Sequence, residues 1–233
     1  LRVAILATSL CGSAAALAAG AAGPGDLDLQ HRFRHLTLED GLSQSSVNAV
    51  LQDRYGFVWL GTQDGLNRYD GHGFVVHKSD PDDPHSLIDA YITCVAEDPE
   101  GGVWIGTDSA GFGRFDRTTG HYQPVPWQRA GGTAQDVIQV TDLKIGSGGH
   151  VWVATSNRGV IEYDPQERTV RRYRAEGRIS GGLPSEEVLA LLVGRDGAVW
   201  AGTGAGLAQL RRRCRPRAGP RRRGVFRSAR PAG

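Results

Sequence analysis

DGLSQSSVNAVLQDRYGFVWLGTQDGLNRYDG, residues 40–71, decides the fold. Its apolar residues come in short runs: Val47 and Val50, then Val58 to Thr62, then Leu66 onward, with Phe74 to His77 just beyond. Turns such as Asp53-Arg54-Tyr55-Gly56 separate the runs, where Asp can hydrogen-bond its own backbone and Gly supplies a positive φ. That pattern reads as a meander of four strands. The frame then recurs. Trp59, Trp104, Trp152 and Trp200 lie 45, 48 and 48 residues apart. Each has Gly three residues before it, Val one before and Thr three after, and Gly61, Gly106 and Gly202 follow three of them by two. A pair such as Tyr69-Asp70, Phe115-Asp116 or Tyr163-Asp164 closes three of the units. A four-stranded unit with one apolar face too many must stack on its neighbour, and a period of 45 to 48 residues identifies a β-propeller blade. The expected fold is therefore all-β, with about four blades of antiparallel meanders forming part of a propeller. The repeated Trp is expected to be a wedge between blades, since one indole buries about 150 to 250 Å².

Residues 40–71 resemble the two-component regulator propeller repeat, as does DPEGGVWIGT with FGRFD in the second unit. Units three and four depart from it, with Gly146 and Gly194 in place of the turn Asp and Ala154 in place of a Gly. The resemblance covers about residues 33–210. It implies the extracytoplasmic sensor region of bacterial histidine kinases, hybrid sensors and diguanylate cyclases. It also implies more blades than four, so an open arc is expected, with exposed edges that recruit further blades or another copy. The rival is a closed ring in which residues 33–37 supply the outer strand that the fourth unit lacks. The units are placed at about 40–78, 85–126, 134–174 and 182–210.

The flanks have another composition. Residues 1–22 hold one charge, Arg2, then an apolar run and small residues, the layout of a signal peptide or, uncleaved, of an N-terminal membrane anchor. Residues 23–32 read as a linker. Residues 211–233 carry ten Arg and no acid, too little apolar surface to fold, and read as a disordered basic tail or as translation past a frameshift. The absence of Met and the start at Leu1 likewise point to a fragment or an alternative start codon. The overall +2 is thus misleading, because residues 26–210 hold 16 of the 27 basic residues and all 25 acidic ones, a balance of −9. That argues against a nucleic-acid surface. Contact with a membrane is expected only through the N-terminal segment or regions downstream of this sequence.

Chemistry is sparse. Cys94 lies alone in an apolar run and reads as core filling rather than as a disulfide partner, which fits a periplasmic or otherwise exported domain that needs no staple. The histidines match no zinc spacing, so no metal or other cofactor is expected, and they read as solvated. No kinase, cyclase or hydrolase motif is visible, and the repeated acids sit at turns and strand ends, where capping suffices; the chain is expected not to be an enzyme. Ligands of propellers approach the channel mouth, which points to the loops entering the innermost strands, residues 43–46, 86–91, 135–136 and 185–186. Gln44, Asn48, Tyr91 and Asp136 are the candidate contacts for a small molecule or oligosaccharide. Three functions remain open: a ligand-sensing domain of a two-component or cyclic-dinucleotide receptor, a carbohydrate-active lyase or glycosidase, and a scaffold for protein partners.

Overall fold

The computed structural model describes residues 33–127, 137–175 and 182–210. Four antiparallel meanders follow one another along the chain. The first is β1 (Val47–Gln52), β2 (Val58–Thr62), β3 (Gly65–Tyr69) and β4 (Phe74–His77). The second is β5 (Ile92–Glu97), β6 (Val103–Thr107), β7 (Phe112–Asp116) and β8 (His121–Pro124), and the third is β9 (Val140–Ile145), β10 (Val151–Thr155), β11 (Val160–Asp164) and β12 (Thr169–Tyr173). The fourth has three strands among the described residues, β13 (Val188–Val193), β14 (Val199–Thr203) and β15 (Gly206–Leu210). This is the expected all-β run of propeller blades, and each innermost strand packs on the next, β1 on β5, β5 on β9 and β9 on β13.

Period-2 alternation gives every blade two faces, one toward the preceding blade and one toward the following one. The core lies between blades rather than inside any one of them. Trp59, Leu66, Leu87, Ile92, Val103, Ile105 and Phe115 fill the first interface; Trp104, Phe112, Val140, Leu143, Val153, Ile161 and Tyr163 fill the second; Trp152, Val160, Leu183, Val188, Leu191 and Ala201 fill the third. Trp59, Trp104 and Trp152 are the expected wedges, each buried, whereas Trp200 is half-buried. Trp59 meets the Phe115 ring of blade two edge-on at 5.7 Å, and Trp104 meets Tyr163 of blade three in the same way at 5.8 Å. Gly61 and Gly106 mark where the next blade comes closest. A Cβ on Gly61 would lie 2.6 Å from Ile92 Cγ2, and one on Gly106 2.5 Å from both Cys94 Sγ and Val140 Cγ1.

The turns carry the rest of the frame. Asp53 Oδ1 accepts the amides of Tyr55 (2.9 Å) and Phe57 (3.0 Å) while Oδ2 accepts the Trp59 indole N–H (2.9 Å), so one carboxylate closes the turn and fixes the wedge. Asp98 does the same for Trp104 at 3.1 Å. Burial pushes both carboxyls up, but the donors, with Arg117 beside Asp53 and Arg114 beside Asp98, outweigh it and hold both below the usual range. Asp70, Asp116 and Asp164 each accept two amides of the following turn, the capping role expected of them.

Three expectations are corrected. Residues 33–37 form no strand: Thr37 and Asp40 cap each other around a 3-10 turn at Leu38–Asp40, and Phe33 is exposed. His77 and His150 are not solvated. His77 lies against Trp59 and Phe115, and burial, then Arg68, lowers its pKa; His150 Nδ1 sits 3.3 Å from the buried Glu162 carboxylate. Asp136 and the flanks 1–32 and 211–233 lie outside the described residues.

Candidate functional site

Antiparallel meanders place the β2–β3 turn of each blade and the loop that enters the next blade at one end of the molecule. The repeated Thr makes that end. Thr62, Thr107, Thr155 and Thr203 each donate a hydroxyl hydrogen bond, 2.7 to 3.0 Å, to the carbonyl of a Gly at or just before the start of the third strand. That Gly amide then crosses to the next blade: Gly65 donates to Ala90 O (2.7 Å), Gly111 to Ile138 O (3.3 Å) and Gly159 to Glu186 O (2.9 Å). The result is a rigid polar rim on which the residue after each Thr stands exposed or half-buried.

Two of the expected ligand contacts sit on this rim. Gln44 Nε2 donates to Gln63 Oε1 and Gln63 Nε2 to the Tyr91 hydroxyl, both at 3.3 Å, a chain of three side chains spanning blades one and two. Gln44 Oε1 also accepts the Ser46 amide. Asn48 is exposed but otherwise engaged: its Nδ2 donates to Ile92 O at 2.9 Å and so ties blade one to blade two.

The rim continues through residues not singled out from the sequence. Asp89 accepts the Tyr91 amide (3.0 Å) and both the amide (3.0 Å) and the hydroxyl (2.7 Å) of Ser109, and Asp108 accepts Gln139 Nε2 at 2.6 Å across blades two and three. A positional signal was available. Gln63 and Asp108 each follow the repeated Thr, and Tyr91 and Gln139 each precede the first strand. At the rim, amides, carboxylates and one phenol face solvent over a hydrogen-bonded scaffold, which suits hydrogen bonding to a polyhydroxylated or otherwise polar ligand. Among the described residues, no group of three or more His, Cys, Asp or Glu is arranged to hold a metal. A cleft of about 760 Å³ lies at the other end, between blades two and three, with Trp104, Gln123, Tyr163 and Arg168 in its wall; Arg114 there is already paired with Asp98 at 2.6 Å.

Residues 41–64 and 86–109 match the family described as two component regulator propeller. Over 55 residues, 24% of this chain and 4% of the relative, the sequence is 49% identical to Histidine kinase P4 of Formosa agariphila. The fold is similar to the extracellular domain of a hybrid two component system from B. thetaiotaomicron, with a TM-score of 0.65 and 26% identity over 76% of this chain and 25% of that one. It is also similar to the extracellular domain of a one component system from the same organism, with a TM-score of 0.60 and 19% identity over 72% of this chain and 22% of that one. The chain thus spans a quarter or less of the length of these relatives. The chain therefore carries two repeats of the two component regulator propeller type, at residues 41–64 and 86–109, within a fold similar to that of the extracellular domain of a hybrid two component system.

Proposed function

We propose that this chain is part of the extracytoplasmic ligand-sensing region of a bacterial signal-transduction receptor, and that it acts by binding rather than by catalysis. The observation that carries the reading is the Gln44–Gln63–Tyr91 chain with the Asp108–Gln139 bond, because each joins side chains of successive blades on one exposed rim. A ligand lying across the rim touches two blades at once. It therefore favours one blade arrangement over another by its difference in affinity for them, which is the quantity that limits any signal. Acid/base catalysis would need paired carboxylates free to exchange protons. Here Asp53 and Asp98 hold indoles and arginines, Asp70, Asp116 and Asp164 cap turns, and Asp89 and Asp108 accept hydroxyl and amide donors.

The test is a thermal-shift and calorimetric screen of the 233-residue chain against neutral and uronic-acid oligosaccharides. Saturation to a hundred times Kd stabilises by about 2.7 kcal/mol. For a domain of this size that raises Tm by about 5 to 11 °C. Tyr91→Ala and Gln63→Ala should remove the shift without lowering the Tm of the free protein by more than about 2 °C. A flat response across the panel, or a shift unchanged in both variants, would overturn the assignment of the rim.

A further inference from the structure

The outer part of the first interface is filled from both sides. His77 of blade one packs against Trp59, with ring centres 6.3 Å apart, and against Phe115 at 4.6 Å. Arg117 of blade two reaches back to Asp53 Oδ2 at 3.2 Å, its guanidinium carbon 3.8 Å from the centre of the Tyr55 ring. In blade three, Tyr173 has the register of His77 and stacks on Trp152. The second interface has neither filler. Val125 stands at the register of His77, its amide bonded to Phe112 O, and Pro165 follows the turn-capping Asp164 as Arg117 follows Asp116. Both are too short to occupy the space beside Trp104 and Tyr163. The cleft of about 760 Å³ remains, and its walls are two successive blades inside the run of four. That volume lies within the range of about 300 to 1,000 Å³ in which small molecules bind.

The cleft has an apolar floor and one unspent charge. Trp104, Tyr163 and Val125 line it and are otherwise buried. Asp98 is saturated, since Oδ1 accepts the Glu100 and Gly102 amides and Oδ2 accepts the Trp104 indole and Arg114 Nε. Arg114 is in turn spent on Asp98 and, at 3.4 Å, on Glu100. Arg168 and Gln123 also line the cleft, and neither side chain has a hydrogen-bond or ion-pair partner among the described residues. Arg168 moreover occupies a glycine's place. The turns from Asp116 to His121 and from Asp164 to Thr169 correspond, and the residue before the second strand is Gly120 (φ 76°) in blade two and Arg168 (φ 50°) in blade three. It is the one non-glycine with a positive φ among the described residues. Left-handed backbone is costly for any residue with a side chain. A long cation is kept there nonetheless, and its charge is felt at the Tyr163 phenol, where it opposes the rise that burial causes.

We propose that this cleft binds a small organic acid, its aromatic or aliphatic body against Trp104, Tyr163 and Val125 and its carboxylate accepting hydrogen bonds from Arg168 and Gln123. A guanidinium offers a planar fork of donors that matches a carboxylate, and the bond is stronger for being charged at both ends. A neutral ligand would leave the Arg168 charge unmatched. The cleft lies at the opposite end from the rim, so this site stands or falls independently of the rim.

Calorimetric titration of the full 233-residue chain with phenylacetate and hexanoate, and with phenylacetamide as the neutral control, tests this. One or both acids should bind. Phenylacetamide should bind at least about tenfold more weakly than phenylacetate, the loss expected when a hydrogen bond between charged groups becomes a neutral one. Arg168→Gly should weaken the acids by a similar factor while Tm stays within about 2 °C of the parent or rises, because the left-handed position then holds the residue that adopts it freely. Val125→Tyr, which gives blade two the ring that Tyr173 gives blade three, should abolish binding in a protein that still melts cooperatively. Tyr91→Ala, on the rim, should bind as the parent does. The proposal is overturned if neither acid binds, if the amide binds as well as the acid, or if Arg168→Gly retains full affinity. Loss of binding in Tyr91→Ala would place the acid on the rim and overturn it as well.

Discussion

Gly61→Ala is the sharpest probe of how the blades fit. The new methyl would stand 2.6 Å from Ile92 Cγ2, 3.1 Å from its Cβ and 3.3 Å from Ala49 Cβ. Ile92 is fully buried between Trp59 and Ile105 in the first interface, and its branched side chain has few rotamers to retreat into. The conflict is resolved by moving blade two away from blade one, the overpacking situation that costs about 1 to 3 kcal/mol. A domain of this size loses about 2 to 4 °C of Tm per kcal/mol, so Tm should fall by about 2 to 12 °C. Gly202→Ala is the matched control. Its methyl has open space, its φ is not in the left-handed region, and removing a glycine from the unfolded chain stabilises by about 0.4 to 1 kcal/mol. Both substitutions are measured by calorimetry and urea titration. Equal loss in the two variants, or none in Gly61→Ala, would refute the claim that close approach of successive blades sets the Gly positions.

Asp53→Ala should cost about 1 to 3 kcal/mol in urea titration, because the buried Trp59 indole N–H loses its acceptor and Arg117 one of its two carboxylate partners; Asp82→Ala, in an exposed loop, should stay within about 0.5 kcal/mol. Asp53 and Asp98 titrate in the folded state below the 3.8 of the free group. The stability they contribute is therefore complete above about pH 5 and is lost as pH falls through 4 and below, and Asp53→Asn should flatten that decline in acid-denaturation curves. In a Cys11→Ser, Cys214→Ser background, Cys94 should stay unlabelled by a thiol reagent at pH 8 until the protein unfolds. Burial pushes its thiol up to about 12, and rapid labelling of the native protein would contradict its place in the core.

The blade count, the strand order and the wedge role of Trp were legible because all three follow from a period, and a period survives in one sequence. The rim was half legible. Gln44, Asp89 and Tyr91 lie in loops that any propeller reading would choose, but Gln63, Asp108 and Gln139 are marked only by position, next to the repeated Thr or just before a first strand, and join them through the antiparallel return of the meander. Asn48 also ties blade one to blade two through Ile92 O, a role that its residue type does not reveal in the sequence. His77 went unrecognised because a histidine on an outer strand is buried only where the ring of another blade, here Phe115, covers it, and His150 because its partner Glu162 lies across its own blade. The failure of residues 33–37 to form a strand is local chemistry, for Thr-x-x-Asp at Thr37 and Asp40 favours a capped turn over extension.

Asp is not what defines the wedge position. Blade three has Gly146 where blades one and two have the clamp, yet Trp152 stays buried, stacked on Tyr173 with ring centres 5.8 Å apart, and the turn backbone closes on the indole so tightly that a Cβ on Gly146 would lie 2.8 Å from Nε1. Cover by the next blade is common to all three buried wedges. Trp200 has neither clamp nor cover, and it is the one half-buried indole among Trp59, Trp104, Trp127, Trp152 and Trp200. Trp200 should therefore be the indole that a soluble quencher reaches most readily, and Trp200→Phe should remove most of the acrylamide quenching of the native protein while leaving the emission of the other four in place. Quenching that is unchanged in that variant would mean that cover by the next blade is not what shields Trp59, Trp104 and Trp152.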